Sequence, residues 1–255
     1  MSSETRMATA PSPTARPTRV LAQARFEAGI LLRNGEQLLV ALVLPALALV
    51  ALVASPYPEL ADPRIATVAP GVLALAIVST AFTGQAIQTA FDRRYGVLRM
   101  LATSPVGTDG LLAGKALAIT LVALLQIIVL GLLAVALGWR PDLVGVLVTP
   151  VSTVLGVWVF VALALLVAGA LRAEAVLAVA NLVWILLAGA GGLLLPGTVL
   201  GGPGGVVRWL PSGALGDAFR EGLGSGAVPL LPWLFLVLWG AVLSLGVVRT
   251  FRWRD

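Results

Sequence analysis

Cysteine and histidine are both missing from the 255 residues. Their absence excludes a disulfide framework, a Cys/His zinc site and a thiol nucleophile. Charge is scarce as well. Asp, Glu, Lys and Arg make up 11% of the chain, against about 25% in an average soluble domain. So few charges cannot cover a soluble surface of this size, and 59% of the residues are hydrophobic. The chain therefore reads as an integral membrane protein. Lysine is nearly absent, with Lys115 alone among the arginines. The net charge of +5 does not mark a nucleic-acid binder, because the basic residues form no single patch with interleaved aromatics. They sit at the ends of apolar runs, where loop charge sets membrane orientation.

A bilayer core about 30 Å thick requires roughly 20 apolar residues of helix. Six runs qualify, at about 38–54, 68–90, 111–137, 143–170, 175–195 and 230–248. The sequence thus predicts an all-α protein with six transmembrane helices. Pro45, Pro70 and Pro150 fall inside or at the ends of these runs, where neighbouring helices can re-satisfy the interrupted backbone. The first run starts too late, and has no convincing cleavage site after it, to be a signal peptide. All seventeen basic residues divide between the two sides as thirteen against four. The minority side holds Arg64, Arg140, Arg208 and Arg220. Both termini are then cytoplasmic, in agreement with an even number of spans.

Residues 1–17, rich in Ser, Thr, Pro and Ala, read as a disordered cytoplasmic tail, and 18–255 as one transmembrane domain. Residues 18–37 read as an interfacial helix, with Leu21, Ala24, Ala28, Leu31 and Leu32 at helical spacing, widened by Phe26 and Ile30. An outer amphipathic helix is expected before the last span. Ser212 is its expected N-cap, and Leu215, Phe219 and Leu223 fall on its apolar stripe. Asp217, Arg220 and Glu221 lie off the stripe and should face water or headgroups. The preceding Gly201-Gly202-Pro203-Gly204-Gly205 lacks the G-x-x-x-x-G-K-[ST] pattern of a phosphate loop and reads as a turn.

Few polar groups fall within the spans. Gln85 and Gln88 lie near the cytoplasmic end of the second, Gln126 near the middle of the third and Asn181 in the fifth. They either hydrogen-bond between helices or line a substrate path. Between the second and third spans lies a charged island, Phe91-Asp92-Arg93-Arg94-Tyr95-Gly96-Val97-Leu98-Arg99-Met100-Leu101-Ala102-Thr103-Ser104-Pro105. Its charges and its apolar Val97, Leu98, Met100 and Leu101 suit a short cytoplasmic helix that docks on a soluble partner.

That island, by position and order, resembles the cytoplasmic coupling loop of ABC-2 type permeases, the membrane subunits of ATP-driven exporters. The resemblance covers most of the chain. Arg25-Phe26-Glu27 through Leu31-Leu32-Arg33-Asn34-Gly35-Glu36-Gln37 resembles the family's helix before span one. Leu111-Leu112-Ala113-Gly114-Lys115 resembles its Gly-Lys start of span three. Leu210-Pro211 with Asp217-Ala218-Phe219-Arg220 resembles its outer helix. Asp92 departs mildly, since many relatives carry Glu there, and the large extracellular domain of some relatives is missing. The resemblance implies a half-transporter in a bacterial cell membrane, paired with an identical or paralogous permease chain. Two copies of an ATPase subunit would bind ATP and Mg, with no cofactor held by this chain. ATPase coupling would fall to Phe91, Asp92, Arg93, Arg94, Tyr95, Gly96, Val97, Leu98, Arg99 and Leu101. Substrate would be a hydrophobic or amphipathic molecule moved outward.

The chain's own sequence carries no Walker motif. Its one Gly-Lys pair, Gly114-Lys115, is followed by Ala116 where Ser or Thr is needed, and Asp109 stands where the first Gly belongs. An ion-coupled secondary transporter is the alternative. Such proteins place carboxylates or broken helices at the midplane, whereas here Asp and Glu fall in loops and tails, with Glu174 at a span end. An intramembrane enzyme would need a buried acid, a metal or a nucleophile pair that the spans do not offer.

Overall fold

A computed structural model describes residues 16–33, 35–97, 107–200 and 204–250. Among the described residues the chain is helical and no strand occurs. In chain order the helices are α1 (Arg16–Arg33), α2 (Gly35–Ala54), α3 (Ile65–Val78), a π-helical stretch (Ser79–Gly84), α4 (Gln85–Arg94), α5 (Gly107–Ala136), α6 (Leu143–Ala170) and α7 (Ala173–Gly189). A 3-10 turn (Gly197–Leu200), α8 (Gly204–Val207), α9 (Pro211–Ser225) and α10 (Leu230–Thr250) follow.

Among the described residues, four helices are long and apolar enough to cross a membrane: Ile65–Arg94, Ala113–Ala136, Leu143–Ala170 and Leu230–Thr250. The Ala41–Ala54 part of α2 is apolar as well, and Ala173–Gly189 is apolar but shorter. The fifth predicted run thus loses its last turn. Its helix stops at Gly189 because Ala190-Gly191-Gly192 follows, and Gly192 takes φ +74°, a left-handed conformation open mainly to glycine. Of the tail predicted over 1–17, Arg16 and Pro17 belong to α1, and the rest lies outside the described residues.

The core is built around the second span. From Val68 to Val78 α3 is buried throughout, surrounded by α2, α5, α6 and α9. Small side chains allow this: Ala69, Gly71, Ala74 and Ala76 alternate with Val72, Leu73, Leu75 and Ile77, so neighbouring backbones approach closely. Where α6 crosses α9, a Cβ on Gly145 would collide with the Gly222 carbonyl.

Tryptophan ties the apolar helices together. Trp158 of α6 donates to Ser244 of α10 at 3.0 Å, and Trp233 of α10 donates back to Ser152 of α6 at 2.8 Å. Each indole N–H thereby finds an oxygen where water is excluded. Helix α1 packs on α5 through Ala24, Glu27 and Ala28, and Gln23 lies against Gly114. Leu21, Phe26 and Leu32 remain exposed, a surface suited to lipid at the headgroup level.

Candidate functional site

The last turn of α4 gathers the charged side chains at one end of the bundle. Three consecutive residues reach three different helices. The Asp92 carboxylate accepts from Lys115 of α5 at 3.3 Å. Arg93 donates to the Gly169 carbonyl at 2.8 Å and to the Leu171 carbonyl at 2.7 Å, closing the C-terminus of α6. The carbonyls there carry the negative end of the helix dipole, which a guanidinium complements. Arg94 pairs with Glu174 in the first turn of α7, where an acid is favoured by the positive end of that helix. The Phe91 and Tyr95 rings stack at 6.1 Å, and Arg94 lies 6.0 Å from the centre of the exposed Tyr95 ring. Gly96, at φ +74°, ends the helix.

Of the predicted coupling segment, Phe91 to Val97 are therefore placed, and Leu98, Arg99 and Leu101 lie outside the described residues. The placed charges have partners within the chain, while Arg94 and Tyr95 stay exposed. Asp92, Arg93 and Arg94 engage other helices of the same chain. The sequence shows the island but not its partners, because Lys115, Glu174 and the α6 carbonyls are brought to it only by packing.

The intramembrane polar groups sort differently. Gln126 accepts from the Thr80 hydroxyl at 2.9 Å and donates to the Ala41 carbonyl at 3.4 Å, joining α2, the π-helical stretch and α5. Beside it Trp184 of α7 donates to Ser79 at 2.8 Å. Gln85 is buried and donates to Gln88 at 3.3 Å. Asn181 is exposed and donates to the Leu177 carbonyl of its own helix at 2.9 Å. Gln126 is a contact between helices, then, while Asn181 faces away from the rest of the chain. The partners Ser79, Thr80 and Trp184 carried no signal in the sequence. A π-helical stretch in mid-span, which often marks a functional position, has no composition of its own.

The opposite end of the bundle corrects the expected outer helix. The N-cap of helix α9 lies two residues earlier than predicted, at Leu210, with Pro211 in the first turn. The Ser212 hydroxyl is buried and donates to the Gly191 carbonyl at 2.7 Å. Leu215, Phe219 and Leu223 are buried as predicted. Arg220 does not face water, and Asp217 does so only in part. The Arg220 side chain is only 12% exposed and that of Asp217 31%. Arg220 donates to Asp217 at 2.9 Å, to the Gly192 carbonyl at 2.7 Å and to the Leu193 carbonyl at 2.8 Å. The turn after α7 exposes those carbonyls, and Arg220 is the group that satisfies them. Burial lowers the Arg220 pKa against the opposing pull of Asp217. Burial also raises Asp217, with Arg220 acting the other way. A similar device operates in the 55–64 loop, where Arg64 donates to the Leu52 carbonyl at 3.2 Å and the Pro58 carbonyl at 2.9 Å.

An all-helical bundle with several apolar helices of spanning length and buried polar ties between them defines a multi-pass membrane protein. A cluster of charges at one end, immediately before a connecting segment, fits a subunit that works with others. The chain belongs to the ABC-2 transporter family: residues 42–249 match the family described as ABC-2 family transporter protein. It is accordingly an ABC transporter permease, a membrane transport component of a kind that typically has no ATPase site of its own and works with an ABC ATPase. No curated protein sequence matches the chain.

Proposed function

We propose that the chain is one half of the membrane-spanning part of an exporter that moves a hydrophobic or amphipathic molecule out of a bacterial cell. Six crossings are proposed: α2, the continuous α3–α4 helix, α5, α6, α7 and α10. Both termini then lie in the cytoplasm, where thirteen of the seventeen basic residues fall. A second permease chain, the same or a paralogue, completes the pathway. Two copies of an ATPase subunit dock on the cytoplasmic side and hydrolyse ATP with Mg.

The observation that carries this reading is the wiring of Asp92, Arg93 and Arg94 to α5, α6 and α7. A push delivered to the segment after Gly96 reaches three helices through the last turn of α4. Phe91 and Tyr95 flank the point where that push enters. Co-expression with candidate ABC ATPase subunits from the same genome, followed by reconstitution, tests the assignment. The ATPase should co-purify. The double variant Arg94→Glu with Leu98→Asp should leave the chain inserted but separate ATP hydrolysis from transport. An apolar anchor lost from an interface can cost about 2 kcal/mol or more. Full complex recovery and full coupling in that variant would count against the docking role.

A further inference from the structure

A cavity of about 440 Å³ lies at the end of the bundle opposite the Asp92–Arg93–Arg94 cluster, among α8, α9, the start of α10 and the 3-10 turn. Its walls differ in character. Asp217 and Glu221, one turn apart on α9, make an acidic wall. Leu231, Pro232 and Phe235 of α10 make an apolar one. Arg208 lines the same space from beyond α8 and is exposed.

The charges of this cavity are unequally matched. Asp217 is held by Arg220. The Glu221 carboxylate has no hydrogen bond or ion pair among the described residues, and neither has the Arg208 guanidinium, which lies 5.9 Å from the centre of the Trp209 ring. Glu221 holds its proton more tightly than usual, first through burial and then through the neighbouring Asp217, with Arg208 only partly opposing both. Trp209 packs at 4.6 Å on Phe235 and accepts from Trp239 through its carbonyl at 2.7 Å. Such aromatic clusters sit at the headgroup depth of a membrane. After the Asp217–Arg220 pair is set aside, one carboxylate and one guanidinium remain beside an apolar wall, near enough to feel each other's charge but joined by no hydrogen bond or ion pair among the described residues.

We propose that this cavity binds the zwitterionic head of an amphiphile, with its ammonium against Glu221, its phosphate against Arg208, and its first methylenes along Leu231, Pro232 and Phe235. A lone ammonium would leave Arg208 unmatched and a lone anion would leave Glu221 unmatched. A head with both signs matches each. Arginine suits phosphate by its fork of donors. The same chemistry is presented by a membrane phospholipid and by a soluble phosphoethanolamine. The proposal rests on the exporter reading only for the side of the membrane on which the cavity opens.

Tryptophan fluorescence of the full chain in maltoside micelles tests it, with Trp209→Phe as the reference that isolates the local signal. The probes are lysophosphatidylethanolamine, lysophosphatidylglycerol and an alkylammonium, matched in chain length. The first should bind roughly tenfold more tightly than either single-charge probe, equivalent to about 1.4 kcal/mol. Glu221→Gln should abolish the preference over lysophosphatidylglycerol, and Arg208→Gln the preference over the alkylammonium. Both side chains are exposed, so an unchanged melting temperature checks the fold. Free phosphoethanolamine that competes at similar concentration assigns the site to a soluble zwitterion, and its failure to compete assigns it to lipid. Equal affinity for all three amphiphiles, or preferences that survive in both variants, would overturn the proposal. Coupling to the ATPase is a separate readout: its loss with binding selectivity intact would remove the exporter reading and leave the cavity assignment standing.

Discussion

Arg220 shows how much one side chain can hold when a helix ends badly. The turn after α7 leaves the Gly192 and Leu193 carbonyls facing inward, and a single guanidinium takes both and Asp217 as well. Arg220→Met should therefore be severe, because it strands a carboxylate and two carbonyls together. Removing one partner from a buried pair typically costs about 3–5 kcal/mol, so a large drop in melting temperature in detergent is expected. Asp217→Asn keeps an acceptor for Arg220 and should cost about 1 kcal/mol. A melt in which the two variants fall equally would show that the carbonyl contacts contribute little. Acidity offers a second check. Burial holds Asp217 above its ordinary 3.8, so the folded chain binds this proton more tightly than the unfolded one. The stability it contributes is complete below that value and is lost as pH rises through the raised one. Asp217→Asn should remove this share, giving a shallower fall in melting temperature above pH 3.8 than the natural chain shows. The importance of Arg220 was half legible in the sequence. The i, i+3 spacing from Asp217 predicts the ion pair, but nothing in a linear chain shows that the Leu193 and Gly192 carbonyls, 27 and 28 residues away, will need a donor.

Among the elements, the charged end of α4 separates stability from coupling. Arg94 and Glu174 are half exposed or more, 50% and 67%, and such a pair contributes about 1 kcal/mol at most. Arg94→Glu should barely move the melting temperature while reducing transport per ATP hydrolysed by a co-purified ATPase. Pairing it with Glu174→Arg should restore the contact in reverse and recover coupling. If the reversed pair stays uncoupled, Arg94 acts elsewhere. Arg93→Gln should differ in kind, loosening the end of α6 at about 2 kcal/mol because two carbonyls lose a charged donor. Long, strongly apolar elements such as 143–170 are legible from sequence because composition alone decides them. Element ends are not, and Gly189, Leu210 and Arg16 show why. A glycine run, a proline and an unpatterned basic residue are each compatible with helix or turn until neighbours decide.

For the whole molecule, six crossings with cytoplasmic termini require that reporters fused after Asp62, Thr108, Arg140, Ala173, Ser225 and Asp255 alternate out, in, out, in, out, in. A cytoplasmic signal at Ser225 would break the arrangement and place Arg208 and Glu221 on the ATPase side. The bias of basic residues is the sequence's statement about orientation at this scale, since it depends on counts rather than on contacts. The buried stripe of α9, Leu215, Phe219 and Leu223, was readable from its spacing, but the close approach permitted by Gly213, Gly216 and Gly222 was not, because glycine gives a weak apolar signal.

The π-helical Ser79–Gly84 carries a consequence for chain length. Bonds from i to i+5 lodge about one residue more than a plain α-helix of the same height would hold. The second span is thus a helix with a stored surplus at mid-depth, and the surplus can be withdrawn without turning what lies beyond it. Deleting Thr83 should convert the stretch to ordinary helix and keep Asp92, Arg93 and Arg94 aimed at their partners. Deleting any residue between Gln85 and Ala90 should swing those three by about 100° and cut all the ties at once.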